Sequence, residues 1–118
     1  MSNQLHTTYI LDPDRTFAEL ETASENKAEA QKKFRILEYH LPILKSKIKL
    51  EFIYKEKIKS TEASDRALND PRYIDHVKSL VLAESIYTRA KDSFDNKKAL
   101  KDMRITQESS ARYLIKNG

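Results

Sequence analysis

The chain has 118 residues, 39% of them hydrophobic and 34% charged, with one glycine, three prolines and no cysteine. This composition excludes disulfides, thiolate nucleophiles and cysteine-containing zinc clusters, and argues against both Gly/Pro-rich disorder and a turn-rich β-sandwich. The formal charge of +4 is unevenly placed: residues 1–31 carry six acids and two bases (−4), 32–60 nine bases and three acids (+6), 61–76 come to −2 and 77–118 to +4. Such alternation suits attraction to a polyanion, antiparallel pairing of subunits, or a solvated surface.

The opening residues Met1–Leu5 lack a basic start followed by an apolar run, so no secretory signal is expected. No apolar stretch approaches the length needed to cross a bilayer. A cytoplasmic protein without a membrane partner is the expectation. Residues 1–11 read as an N-terminal arm containing the β-compatible run Thr7–Leu11. Asp12 before Pro13 is a helix start, since aspartate caps free amides and proline is tolerated in the first turn. Thr16 and Glu19 offer an alternative capping box.

From there the pattern predicts helix to about Leu68. Its clearest apolar seam is Ala30, Phe34, Leu37, Leu41, Leu44 and Ile48, at alternating spacings of four and three that turn one face to another helix. Pro42 lies within the seam and lacks a backbone donor, which predicts a kink or break near that position. The seam then broadens through Leu50, Phe52, Ile53, Tyr54 and Ile58. Asn69-Asp70-Pro71 is the best boundary, with Asp70 capping a second helix and Pro71 at its first position. That helix is expected from about 71 to 113, on the seam Tyr73, Val77, Leu80, Ala83, Tyr87, Ala90 and Phe94.

The fold class is therefore all-α: a long-helix αα-hairpin or antiparallel helical bundle within a single domain of residues 12–118. A domain this small buries little by itself, so completion by oligomerisation is expected. The predicted oligomer or partner interface consists of Phe34, Leu37, Leu41, Leu44, Ile48, Phe52, Tyr73, Leu80, Tyr87 and Phe94.

No catalytic constellation is legible. His6, His40 and His76 are far apart in sequence, His76 being placed on an exposed helix shoulder, and they have no cysteine to complete a soft metal site. The serines lack a base at a recognisable spacing, and Gly118 alone makes no phosphate loop. The reading is a non-enzyme without metal or cofactor.

The strongest functional clue is basic. Lys45, Lys47 and Lys49 are followed by Lys55, Lys57 and Lys59. In an unbroken helix Lys45 and Lys49 share one face, as do Lys55 and Lys59, and such faces contact phosphates without reading bases. A second group, Lys97, Lys101 and Arg104, recurs at four and three along one broad side, with Arg112 beyond it. Tyr54, Tyr73, Tyr87 and Tyr113 are candidate base-stacking residues. Tyr73 and Tyr87 fall in the apolar seam, which leaves Tyr113 the least constrained.

The run Ile43-Leu44-Lys45-Ser46-Lys47-Ile48-Lys49-Leu50, a polar connection, and the later run Lys101-Asp102-Met103-Arg104-Ile105 resemble small helical proteins of phage recombination modules, including the UvsY-type recombination mediator family. The Asp70-Pro71-Arg72-Tyr73 start resembles other small phage helical proteins. The resemblance covers roughly residues 32–115. It implies oligomerisation, single-stranded DNA binding, and contact with a recombinase or single-strand-binding protein. Lys45, Lys47 and Lys49 would correspond to the basic region and Arg104 to the C-terminal motif. Against this stands a helical protein-interaction or inhibitor module, a phage antagonist of a host protein, in which the Leu50-to-Ile58 surface meets the partner.

Overall fold

The computed structural model describes residues 13–117, all in helices or the short connections between them. The predicted arm, His6 and the Asp12 cap lie outside the described residues. Three helices follow in order: α1 Pro13–Glu56, α2 Ser60–Leu68 and α3 Pro71–Asn117. The chain is all-α, built on two long helices.

The described residues form two compact units, one of residues 29–88 and one of residues 13–28 with 89–117. In the unit of residues 29–88 the contacts run antiparallel. Arg72 of α3 meets Glu51 of α1, whereas Tyr87, farther along α3, stacks on Phe34, earlier in α1, with centroids 5.9 Å apart. In the other unit the same order holds. Lys27 lies over the Phe94 ring, and Lys101 over the ring of the earlier Phe17.

Within the unit of residues 29–88 the shielded seam positions on α1 are those the spacing predicts, and on α3 His76 joins the predicted series. On α1 the buried or partly buried positions include Thr16, Leu20, Ala23, Lys27, Ala30, Phe34, Leu37, Leu41, Leu44 and Ile48, alternating four and three throughout. On α3 the matching series is Tyr73, His76, Leu80, Ala83, Tyr87, Ala90, Phe94, Lys97, Lys101 and Arg104. All ten residues predicted as an interface, Phe52 included, are shielded within the chain itself to some degree. Two facing helices enclose a large side chain with difficulty, so among the described residues the buried ones are few and, Ile48 apart, small. Ala23, Ala30, Ala63, Ala67 and Ile48 are buried, and Ile48 is the one large side chain fully enclosed among the described residues.

The first helix does not reach Leu68: α1 ends at Glu56, and it is helical through Pro42 without a break. The break falls at 57–59, where Lys57 adopts φ 54°. A side chain in this left-handed region is disfavoured by contact of Cβ with the following carbonyl. What offsets the cost is the packing that the turn permits. Ile58 becomes partly buried, and Ala63 and Ala67, one helical turn apart on α2, are fully buried. Their missing bulk lets α2 approach closely. Lys59 caps α2 through its backbone, its carbonyl accepting from the Ala63 amide at 2.9 Å.

The second boundary forms where the sequence places it. Asp70 Oδ1 accepts from the Arg72 amide at 2.9 Å, and Pro71 occupies the first helical position, where an amide has no partner to lose. On the other side, the Asn69 side-chain amide donates to the Asp65 carbonyl at 3.0 Å, satisfying one of the carbonyls exposed at the end of α2.

Candidate nucleic-acid interface

Residues 32–60 contain eight lysines, one arginine and three glutamates. The structure pairs every one of those glutamates with an arginine. Glu38 Oε1 accepts from Arg35 Nη1 at 3.0 Å, Glu51 Oε2 from Arg72 Nη1 at 2.7 Å, and Glu56 from Arg66. Two of the three arginines come from outside the segment, on α2 and α3. Guanidinium forks bind carboxylates in fixed geometry, whereas lysine acts as a mobile point charge, so the arginines hold the acids. Among the described residues none of the eight lysines forms a salt bridge.

The lysines do not form one face. Residues two apart on a helix are separated by roughly 200°, so Lys45 and Lys49 share one shoulder of α1, both partly buried, and Lys47 lies on the opposite one, exposed. Lys55 is exposed in the last turn of α1, Lys57 and Lys59 in the break. The predicted common face of Lys55 and Lys59 therefore does not exist, because α1 ends between them. Instead the break gathers three exposed ammonium groups within five residues. Of these three, Lys55 acts on Glu51, whose pKa is lowered first by the Arg72 hydrogen bond, with the charges of Lys55 and of Lys47 one turn earlier contributing.

The second basic group is placed differently. Lys97, Lys101 and Arg104 continue the α3 seam and are partly buried. Arg104 retains 12% side-chain exposure; its Nη1 donates to Thr16 Oγ1 at 3.0 Å and its Nε to Glu108 Oε1 at 3.3 Å. A cleft of about 210 Å³, lined by Arg15, Thr16, Glu19, Lys97, Leu100, Met103, Arg104 and Gln107, shows the same side turned to α1. Arg112 is exposed and donates to its own helix at the Glu108 carbonyl. The spacing of four and three that sequence reasoning took for a surface track is the seam spacing itself, occupied by cations.

The aromatic candidates also sort by placement. Tyr73 and Tyr87 are partly buried in the seam. Tyr54 is 76% exposed and Tyr113 66%, so the open position is Tyr54, beside the lysines. Tyr39, which sequence reasoning passed over, is 69% exposed; its position on the face opposite the α1 seam was the available signal. His76 is not on an exposed shoulder. It is partly buried, with Nε2 2.8 Å from the Leu37 carbonyl oxygen.

A shallow groove in the unit of residues 29–88 is lined by Lys33, Ile36, Leu37, Ser79, Leu82, Ala83 and Ile86, about 370 Å³. Among the described residues no three His, Asp or Glu side chains gather to hold a metal ion, and no helix is long and apolar enough to cross a membrane. No protein-family model, curated protein or solved structure matches this chain.

Proposed function

We propose that the protein is a non-catalytic, phage-type accessory that binds single-stranded nucleic acid without sequence preference and assists a recombination or DNA-processing partner. Binding runs through the lysines of the C-terminal half of α1 and the break after it, chiefly Lys47, Lys55, Lys57 and Lys59, with Lys45 and Lys49 on the other shoulder. One observation carries the reading: arginines hold all three carboxylates of residues 32–60, leaving the lysines for an external polyanion. A chain selected only for a solvated surface has no need to neutralise each acid in its most basic segment. The group Lys97, Lys101 and Arg104 enters the proposal only in a secondary role, since its side chains are engaged in the seam.

The test is a fluorescence-anisotropy titration of a labelled 20-nucleotide single strand at several salt concentrations. Each neutralised phosphate contributes about −0.7 to the slope of log K against log salt on single strands. Three to five contacts then give a slope of roughly −2 to −3.5. Charge reversal in K47E/K55E/K57E reduces both affinity and slope. No binding by the wild type at low salt overturns the proposal.

A second reading, a helical protein-interaction or inhibitor module, is favoured by the groove beside Ile36, Leu82 and Ile86, whose side chains are exposed. Self-association, and recruitment of a recombinase or single-strand-binding protein, belong to the first proposal. Capture of one stoichiometric protein partner by a chain that binds no single strand at low salt would decide for this second reading.

A further inference from the structure

The outward face of α1 combines exposed rings with lysines that form no salt bridge. Tyr39 and Tyr54 are separated by 15 residues, about 22 Å along the helix and roughly 60° around it. Lys47 lies between them, exposed, on the same face as Tyr54 two turns later. Ile43 and Leu50, each about half exposed, form the floor between the two rings. The Tyr39 ring stands edge-on to the ring of His40, with centroids 5.5 Å apart.

We infer that this face is a stacking track for an unpaired strand, with Tyr39 and Tyr54 as the two platforms and Lys47 contacting the phosphates between them. The inference rests on the proposed nucleic-acid reading and specifies what that reading leaves open: which side of α1 the strand follows, and why unpaired bases are preferred. A duplex offers phosphates to lysine but no free ring faces to tyrosine. The apolar floor by itself would equally suit a helix of another protein. The charge decides between them, because the acids of this segment are already held by Arg35, Arg66 and Arg72. The remaining field is that of lysines, complementary to a phosphate chain.

The chain has six tyrosines and no tryptophan, so tyrosine emission reports stacking directly. Titration with a 20-nucleotide oligo(dT) should quench wild-type emission, and the quenching should be largely lost in Y39L/Y54L. That variant should bind oligo(dT) at least tenfold more weakly with an unchanged salt slope, while Y39F/Y54F stays within about threefold of wild type, since phenylalanine keeps the ring. A duplex of equal length should bind more weakly and be indifferent to Y39L/Y54L. Unchanged oligo(dT) affinity in Y39L/Y54L, with K47E/K55E/K57E still impaired, overturns the track and leaves the lysine reading standing. Equal duplex and single-strand affinity in the wild type also overturns it. Absence of any binding to oligo(dT) overturns both.

Discussion

Arg72 in the first turn of α3 donates from Nη1 to Glu51 Oε2 at 2.7 Å, across 21 residues of sequence. The same guanidinium donates through Nε to Asp70 Oδ1 at 3.0 Å and through Nη2 to Asp70 Oδ2 at 3.2 Å. One side chain thus joins the cap of α3 to the last turns of α1. Arg72 is the leading cause holding the pKa of both Glu51 and Asp70 below their ordinary values.

That network sets a pH dependence. Both carboxylates have lowered folded pKa values, so their stabilisation is fully present above the ordinary values of 4.5 and 3.8. It is lost as pH falls through the lowered ones. The melting temperature of the wild type, followed by circular dichroism, should exceed that of Arg72→Gln near neutrality. The gap should close as the solution is acidified below the usual carboxylate range. A gap that is constant with pH would detach the stabilisation from ionisation.

Among the described residues Ile48 is the fully enclosed large side chain, and Ile48→Ala leaves a cavity in its place. The expected cost is about 2–4 kcal/mol by urea unfolding. Ala67→Leu tests the opposite error, forcing α2 outward at a cost of about 1–3 kcal/mol. Ile115→Ala, at a position 84% exposed, serves as the comparison and should fall within about 0.5 kcal/mol.

Pro42 is exposed inside a continuous helix, where it removes an intrahelical hydrogen bond. Pro42→Ala should stabilise the protein by up to about 3 kcal/mol, measured by chemical unfolding. An unchanged or lower stability would mean that the local geometry imposed by Pro42 is needed by the seam around Leu41 and Leu44.

Lys57→Gly relieves the left-handed strain at the α1–α2 break and should stabilise the fold by about 0.5–1 kcal/mol. If the ammonium group also contacts phosphates, the same variant should bind oligo(dT) more weakly. Opposite signs in the two measurements distinguish a charge retained for binding from a residue tolerated in a turn.

The cations at the end of the α3 seam predict uneven stability. A polar residue at a seam position costs stability, and Lys97, Lys101 and Arg104 occupy three in succession. Hydrogen exchange of backbone amides should be faster in 97–112 than in 73–90. Lys101→Leu should slow exchange in the former stretch and raise overall stability by roughly 1 kcal/mol.

Several elements were legible because they depend on local chemistry. Asp70-Pro71 marks a helix start through a carboxylate that accepts a free amide and a ring that needs none. The apolar seam from Ala30 to Ile48 was visible because helical periodicity survives without knowledge of the partner. The α1–α2 break was not visible, since Lys55-Glu56-Lys57-Ile58-Lys59 consists largely of helix-compatible residues. Its cause lies in what becomes buried after the turn, at Ala63 and Ala67. The candidate site divides the same way. The density of lysines in 32–60 is a sequence fact, whereas their lack of carboxylate partners depends on Arg66 and Arg72 arriving from other helices.

The sequence by itself determined an all-α chain with two long apolar seams, a capped boundary at Asp70 and a basic middle, because composition, periodicity and capping act over a few residues. Only the tertiary structure decided which charges remain available. A salt bridge such as Arg72–Glu51 joins groups 21 residues apart, and a spacing of four and three cannot reveal whether its cations face water or another helix. Packing of α3 against α1 shields Lys97, Lys101 and Arg104 in part, while the α1–α2 turn leaves Lys55, Lys57 and Lys59 in solvent.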